Sequence, residues 1–144
     1  MSTRGDGTDR GSPMGTDFQQ WLGLRWELGA DDQSVRVIME MRDDLRGPAR
    51  TLEGGVISTL ADVAGASAAA RAAGGLVATE HISMSFLAPG REGPIQATGN
   101  VLRAGRHDAV AEVRIEDVGR DNRLMAVALV TVRIMNERRE QPNP

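Results

Sequence analysis

One stretch governs what this chain can become: residues 54–73, Gly-Gly-Val-Ile-Ser-Thr-Leu-Ala-Asp-Val-Ala-Gly-Ala-Ser-Ala-Ala-Ala-Arg-Ala-Ala, closed by Gly74-Gly75. It reads as the one long helix of the chain, and the glycine pair stops it. The leading glycines leave the first backbone N–H groups open to whatever docks there. Asp62 lies two turns inside, where a lone carboxylate is costly to bury without a purpose or a partner. At 100° per residue, Gly55, Ser58, Thr59, Asp62, Gly65, Ala66 and Ala69 share one narrow face of small residues. Ile57, Leu60, Ala61, Ala64 and Ala68 fall opposite and are expected to bury against a sheet. Read purely as structure, this is a tightly packed interior helix in which Ser58 or Thr59 caps Asp62.

Around the helix the periodicity changes to two. Leu24, Trp26 and Leu28 alternate with Arg25 and Glu27, and Val35, Val37, Met39 and Met41 follow the turn signal Gly29-Ala30-Asp31-Asp32, so a hairpin precedes the helix. After it come strands over residues 76–88, 95–102, 109–115 and 124–135, separated by Pro89-Gly90, Ala104-Gly105-Arg106 and Gly119-Arg120-Asp121-Asn122. In the first of these the even positions are mostly apolar, while Thr79, His81, Ser83 and Ser85 occupy the odd ones; Glu80 interrupts the apolar face. The last strand is apolar on both faces, as a covered central strand would be. The fold class is therefore α+β: hairpin, helix, meander, with an antiparallel sheet against one dominant helix. Residues 1–17, nearly devoid of apolar side chains, are expected to form a disordered extension, residues 18–136 one domain, and residues 137–144 a flexible tail.

Several chemistries are closed to such a chain. It has no cysteine, so there is no disulfide, thiol nucleophile or thiolate metal site. All of its basic residues are arginine, which removes Schiff-base chemistry and a lysine-bearing phosphate loop. Two histidines, His81 and His107, do not make a multi-histidine metal centre, and no metal or other cofactor is expected. A net charge of −3 gives no footprint for nucleic acid. No apolar run reaches membrane length and no signal-type hydrophobic start is present, so the expectation is a soluble cytoplasmic protein without membrane partners. The helix serines lack a Gly-x-Ser-x-Gly context, which argues against a Ser-His-Asp hydrolase. His81 lies on the polar side of its strand with no nucleophile nearby in sequence.

The order of motifs resembles the hot-dog fold acyl-CoA thioesterases, in particular the branch that includes phenylacetyl-CoA and hydroxybenzoyl-CoA thioesterases. The matching residues are Gly54-Gly55-Val56, then Leu60-Ala61-Asp62, then Thr79 ahead of Phe86-Leu87-Ala88-Pro89, and the turn Leu102-Arg103-Ala104-Gly105-Arg106. The resemblance spans about residues 22–135. It implies an antiparallel sheet wrapped around one long central helix and an acyl-CoA substrate. It also implies a thioester carbonyl held at the helix start by the N–H of Gly55, with Gly54 and Val56 beside it. In this scheme Asp62 is the general base or the nucleophile, and Thr79 holds the water or Asp62 itself. Arg103 and Arg106 flank a turn and are candidate contacts for the phosphates of CoA, although solvated turn arginines would look the same. One position departs from the pattern. The family usually carries His, Asn or Gln directly before the two glycines, and this chain carries Glu53. A carboxylate beside an oxyanion site opposes the negative charge that develops there.

Spacing adds a constraint. Seven residues at ~1.5 Å rise put Gly55 and Asp62 about 10 Å apart along one helix. A short Asp side chain does not span that gap. A carbonyl held by Gly55 must then meet Asp62 of a second subunit, which predicts a homodimer or a dimer of dimers with two antiparallel helices across a two-fold axis. A dehydratase of the same fold would need an Asp–His pair, and no histidine suits Asp62. The competing reading from a different class is a non-catalytic acyl-CoA binding or sensing protein, which Glu53 keeps open.

Overall fold

A small-residue helix can approach a sheet more closely than one carrying bulky side chains, and that closeness organises the protein. The structure, a computed structural model, describes residues 15–135. Residues 1–14 of the expected extension and the expected tail over 137–144 lie outside the described residues. The elements in order are helix α1 (Asp17–Trp21), strands β1 (Arg25–Leu28) and β2 (Ser34–Met39), helix α2 (Gly54–Ala73), and strands β3 (Val77–Phe86), β4 (Ile95–Ala104), β5 (Asp108–Asp117) and β6 (Arg123–Ile134). Short 3-10 turns over Asp43–Leu45 and Val118–Arg120 join them. All strand pairings are antiparallel, in the order β1-β2-β4-β5-β6-β3. The sheet curls around α2, which touches β2, β3, β4, β5 and β6. This is the α+β hot-dog arrangement.

Helix α2 begins and ends where the glycines place it. Glu53 is the N-cap in an extended conformation, and Gly74 closes the helix in the left-handed region at φ 71° with its N–H on the Ala70 carbonyl. Ile57, Leu60, Ala61, Ala64 and Ala68 are buried, as their helical spacing requires. Gly65 and Ala69, expected on the open small-residue face, are buried too. The sheet wraps more than half of the helix, so the covered arc is wider than a flat sheet would give. Two glycines permit this contact. A Cβ on Gly65 would lie 2.7 Å from Val130 of β6, and one on Gly99 of β4 would overlap the Ala64 carbonyl. The apolar bulk comes from the strands: Val35, Val37, Met39, Ile95, Val113, Ile115, Val130 and Val132 are closed to solvent. Each such side chain contributes about 1.5–3 kcal/mol on burial. The indole of Trp26 in β1 donates to the Ser67 hydroxyl at 3.0 Å, and Arg71 donates to the Gly29 and Ser34 carbonyls, tying the β1–β2 hairpin to the helix.

Two strand expectations need correction. β3 does not run beside β4 in the meander; it pairs with β6 and forms the far edge of the sheet. β4 pairs instead with β2 and β5, so the strand directly after the helix is not its neighbour. The outer face of β6 is also open in this chain, with Leu129 45 % exposed, so an apolar outer face does not mean a covered one.

Asp117 at the end of β5 is the one buried charged residue of the described core. Its carboxylate accepts three backbone N–H groups, from Arg91 and Glu92 on Oδ2 and from Gly93 on Oδ1, at 2.8, 3.0 and 2.8 Å. Burial alone would push this carboxyl up, but the three donors and the nearby Arg120 outweigh it and hold it below the usual aspartate range. The loop it grips passes Gly90, whose carbonyl accepts the Leu52 N–H at 2.9 Å. Asp117 thereby fastens the segment that leads into α2.

Candidate active site

The approach to α2 is built by arginine forks. Arg46 ion-pairs with Asp43 at 3.0 Å and donates to the Arg50 and Arg91 carbonyls at 2.9 and 3.0 Å. Arg50 itself takes a left-handed φ of 64°, a conformation that a non-glycine residue holds only under constraint. The Glu53 N–H donates to the Leu45 carbonyl at 3.0 Å. These bonds set the direction in which the first turn of α2 faces.

At that turn the Glu53 carbonyl accepts the N–H groups of both Val56 and Ile57, at 3.0 and 3.2 Å. The Val56 N–H is therefore engaged, and Val56 offers its side chain instead. The N–H groups of Gly54 and Gly55 donate to no other described residue. They are the two open donors of the helix start, reinforced by the positive end of its dipole. A pocket of about 220 Å³ lies at Gly55, lined by Gly55, Val56 and Thr59 from α2, by its N-cap Glu53, and by Phe18, Trp21, Leu22, Asp44 and Leu45 from the segments before it. The Glu53 side chain makes no capping bond and, among the described residues, no ion pair, Arg50 included. An unpaired carboxylate thus stands at the wall of the anion-favouring end.

Asp62 is half-buried and accepts the Thr79 hydroxyl at 2.6 Å through Oδ1. Ser58 and Thr59 do not cap it; their hydroxyls return to the Gly54 and Gly55 carbonyls, both at 2.9 Å. The partner comes from β3 because of an irregularity. Register along β3 and β6 shifts between Thr79 and His81, so Glu80 is a bulge residue. Thr79 faces buried Val132 and Ile82 faces buried Val130, on the side of the helix, whereas His81 faces Thr131 on the outer side. Strict alternation would have put Thr79 with His81; the extra residue turns it toward Asp62.

The structure does not gather every candidate in one place. Asp62 with Thr79, and Gly54, Gly55 and Val56 with Glu53, occupy two places along α2, with Asp62 seven residues beyond Gly55. Arg103 and Arg106 lie at the β4–β5 hairpin, where Val101 donates to the Gln33 carbonyl beside the β1–β2 turn, near the C-terminal end of α2. Arg103 pairs with Asp108 at 3.1 Å. The helix start sits at the other end of the sheet, beside Phe86 and Gly90. A hollow of about 310 Å³ on the outer sheet face, lined among others by Ser83, Ser85, Glu112 and Leu129, contains neither Gly55 nor Asp62. No helix of the described residues is long and apolar enough to cross a membrane, and no three His, Asp or Glu side chains among them are placed to hold a metal ion.

Sequence reasoning missed α1, whose Phe18 and Trp21 form one wall of the pocket at Gly55. α1 starts at Asp17, the last residue of the segment expected to form the N-terminal extension. Thr16 caps α1 by accepting the Gln19 N–H at 3.2 Å, and the Gln19 side chain accepts the Thr16 N–H at 3.1 Å. That reciprocal pair was legible as Thr16-x-x-Gln19, a capping-box pattern.

The sequence profile of the thioesterase superfamily matches residues 50–123, just over half of the 144 residues and including the α2 start, Asp62 and Thr79. No curated protein sequence matches significantly. Solved structures do. AziG of S. sahachiroi shares 26 % identity at a TM-score of 0.75, over 84 % of this chain and 98 % of that one. A thioesterase from Haemophilus influenzae superposes with a TM-score of 0.77 at 23 % identity, over 87 % of each chain. The PaaI protein from the phenylacetic acid degradation operon of E. coli does so with 0.74 at 21 %, over 83 % and 84 %. Fold, motif order and profile agree: the chain belongs to the thioesterase superfamily.

Proposed function

We propose that the protein hydrolyses an acyl-CoA thioester to a free acid and CoA, as a cytoplasmic homodimer or dimer of dimers. The observation that carries this is the open N–H of Gly55, a residue that lines a pocket at the helix start, on the same helix as an Asp62 oriented by Thr79. The thioester carbonyl oxygen sits at the Gly55 N–H, where the helix dipole and the fixed donors favour the oxyanion. Asp62 of the second subunit takes a proton from water as the water oxygen attacks the carbonyl carbon. The tetrahedral intermediate collapses, the C–S bond breaks, the CoA thiolate leaves, and the proton is returned to it. Thr79 donates to Asp62 Oδ1 and leaves Oδ2 for the water. Arg103 and Arg106 are the proposed contacts for the CoA phosphates, supplied at the subunit boundary.

Subunit mixing tests the arrangement. Asp62→Asn and Gly55→Pro, which removes an N–H within the first turn where proline is tolerated, are each expected to be inactive. Mixed dimers of the two are expected to recover thiol release, because one of their two sites then combines an intact Gly55 with an intact Asp62. Mixed dimers that remain inactive would place both groups in one subunit and overturn the proposal.

Glu53 favours the second reading, a protein that binds acyl-CoA without hydrolysing it. On the hydrolase reading, Glu53→Gln removes an anion beside the oxyanion donors and raises thioester turnover about 2- to 5-fold, the size of a charge repulsion over a few ångströms in water. Steady-state thiol release checks it. An unchanged rate removes Glu53 from the site. Tight acyl-CoA binding with no turnover in either form supports the binding reading.

A further inference from the structure

Just before α2 the chain makes a small hairpin, with Arg46 bridged to Leu52 and the turn Gly47-Pro48-Ala49-Arg50 at its tip. The Arg50 N–H donates to the Gly47 carbonyl at 2.9 Å, and the Gly47 N–H donates to the Thr51 carbonyl at 2.8 Å. A turn closed in this way needs a left-handed backbone at its last residue, the place where glycine is favoured. Arg50 holds it instead, at φ 64°. A side chain kept in a strained conformation points to a use for that side chain.

The Arg50 side chain is exposed, and among the described residues its guanidinium has neither an ion pair nor a hydrogen bond. The same is true of Arg91. Arg46 brings the two together, since its one guanidinium donates to the Arg50 and the Arg91 carbonyls at 2.9 and 3.0 Å. Asp117 holds Arg91 from the other side by accepting its N–H at 2.8 Å. Two free arginines thus leave fixed, neighbouring backbone positions beside the start of α2. Glu53 and Glu92 are the carboxylates nearest to them in sequence, and neither pairs with them. A second helix adds none. Pairing Gly55 with Asp62 across antiparallel helices lays the C-terminal half of the second α2 toward this hairpin, and beyond Asp62 that helix contains no carboxylate.

Resting on the acyl-CoA reading of the Gly55 site, we infer that Arg50 and Arg91 bind phosphate groups of CoA, and that the strained backbone of Arg50 is retained for this contact. The chain has no lysine, so its permanently charged side-chain donors are all arginine, and the guanidinium fork matches a phosphate. The pantetheine arm separates the phosphates from the thioester. Their contact therefore belongs outward of Gly55, where the exposed hairpin tip stands. Arg103, by contrast, is already engaged by Asp108.

The experiment measures affinity for CoA and for pantetheine by calorimetry, and stability by urea unfolding, in the wild type, Arg50→Gly and Arg91→Gln. The wild type is expected to bind CoA more tightly than pantetheine, with a preference that shrinks as salt is raised. Arg50→Gly should weaken CoA about 10-fold, the loss of one charge-assisted contact, and leave pantetheine unchanged. It should also raise the urea midpoint, because glycine suits the left-handed position. Arg91→Gln should weaken CoA to a similar extent. Unchanged CoA affinity in either variant overturns the inference, as does an equal loss for pantetheine or a wild type that does not distinguish the two ligands. A lower midpoint in Arg50→Gly would make Arg50 part of the fold and overturns it too. Thiol release from a panel of acyl-CoA thioesters on the same samples keeps the readings apart. If no thioester is hydrolysed but both variants weaken CoA alone, the phosphate contact stands and the hydrolase reading fails.

Discussion

Asp62→Asn is expected to lower acyl-CoA turnover by at least ~100-fold while the protein stays folded. General-base catalysis by a positioned side chain contributes about 10²- to 10⁴-fold, and asparagine cannot accept the proton from water. The substitution keeps size and shape. It also keeps an Oδ1 that can accept the Thr79 hydroxyl, now at 2.6 Å, so the geometry around the site survives. Asp62 is half-buried and makes no ion pair among the described residues, so the unfolding midpoint should move little. Thiol release at saturating substrate, with a denaturation curve on the same sample, checks both halves. A variant within tenfold of wild-type turnover removes Asp62 from the chemistry. A large loss of stability would reassign it to the fold.

The largest effect on stability is expected at Asp117, where Asp117→Asn should cost about 2–4 kcal/mol. The buried carboxylate offers acceptor oxygens to three backbone donors at once, on Arg91, Glu92 and Gly93. An asparagine has one acceptor oxygen and turns an NH₂ group toward the remaining donors. Buried N–H groups left without acceptors cost about 1–3 kcal/mol, and bonds to a charged partner are stronger than neutral ones. The folded protein holds this carboxyl below its ordinary range, so the stability it supplies is complete above the ordinary aspartate range. That stability drains as pH falls through the lowered folded value. The gap between wild type and variant in urea unfolding should therefore be constant across neutral pH and narrow only in acid. A gap that widens on acidification would have the wrong sign for this mechanism.

Pattern and spacing carried much of the architecture. Residues 54–73 announce themselves as a helix and Gly74 as its end, because glycine alone takes the left-handed closing conformation without cost. The alternation of Trp26 and of Val35, Val37 and Met39 predicts the β1–β2 hairpin, since side-chain direction in a strand is a local property. The open donors of Gly54 and Gly55 follow from their place in the first helical turn. Strand order does not follow, because the pairings of β2 with β4 and of β3 with β6 join segments distant in sequence, which no local pattern encodes. The outer-face exposure of Leu129 is equally invisible in an apolar run, since a run does not say what lies opposite it.

The site divides along the same line. The chain by itself determined that a glycine-led helix would present backbone donors, and that its one internal carboxylate would need a partner. It also determined that Gly55 and Asp62 stand about 10 Å apart, because rise per residue is a property of any α-helix. Only the tertiary structure decided that Thr79 is the partner of Asp62, because the bulge at Glu80 reverses the direction of every side chain before it, and a bulge becomes visible only when β3 lies against β6. Only the tertiary structure decided that Gly65 serves the sheet rather than the open face, because that depends on how far the sheet curls around the helix. The aromatic wall at Gly55 is of the same kind. Phe18 and Trp21 lie more than thirty residues before the helix start in sequence, and what brings them to it is the grip of Arg42 on Trp21, a contact between distant segments that no local pattern encodes.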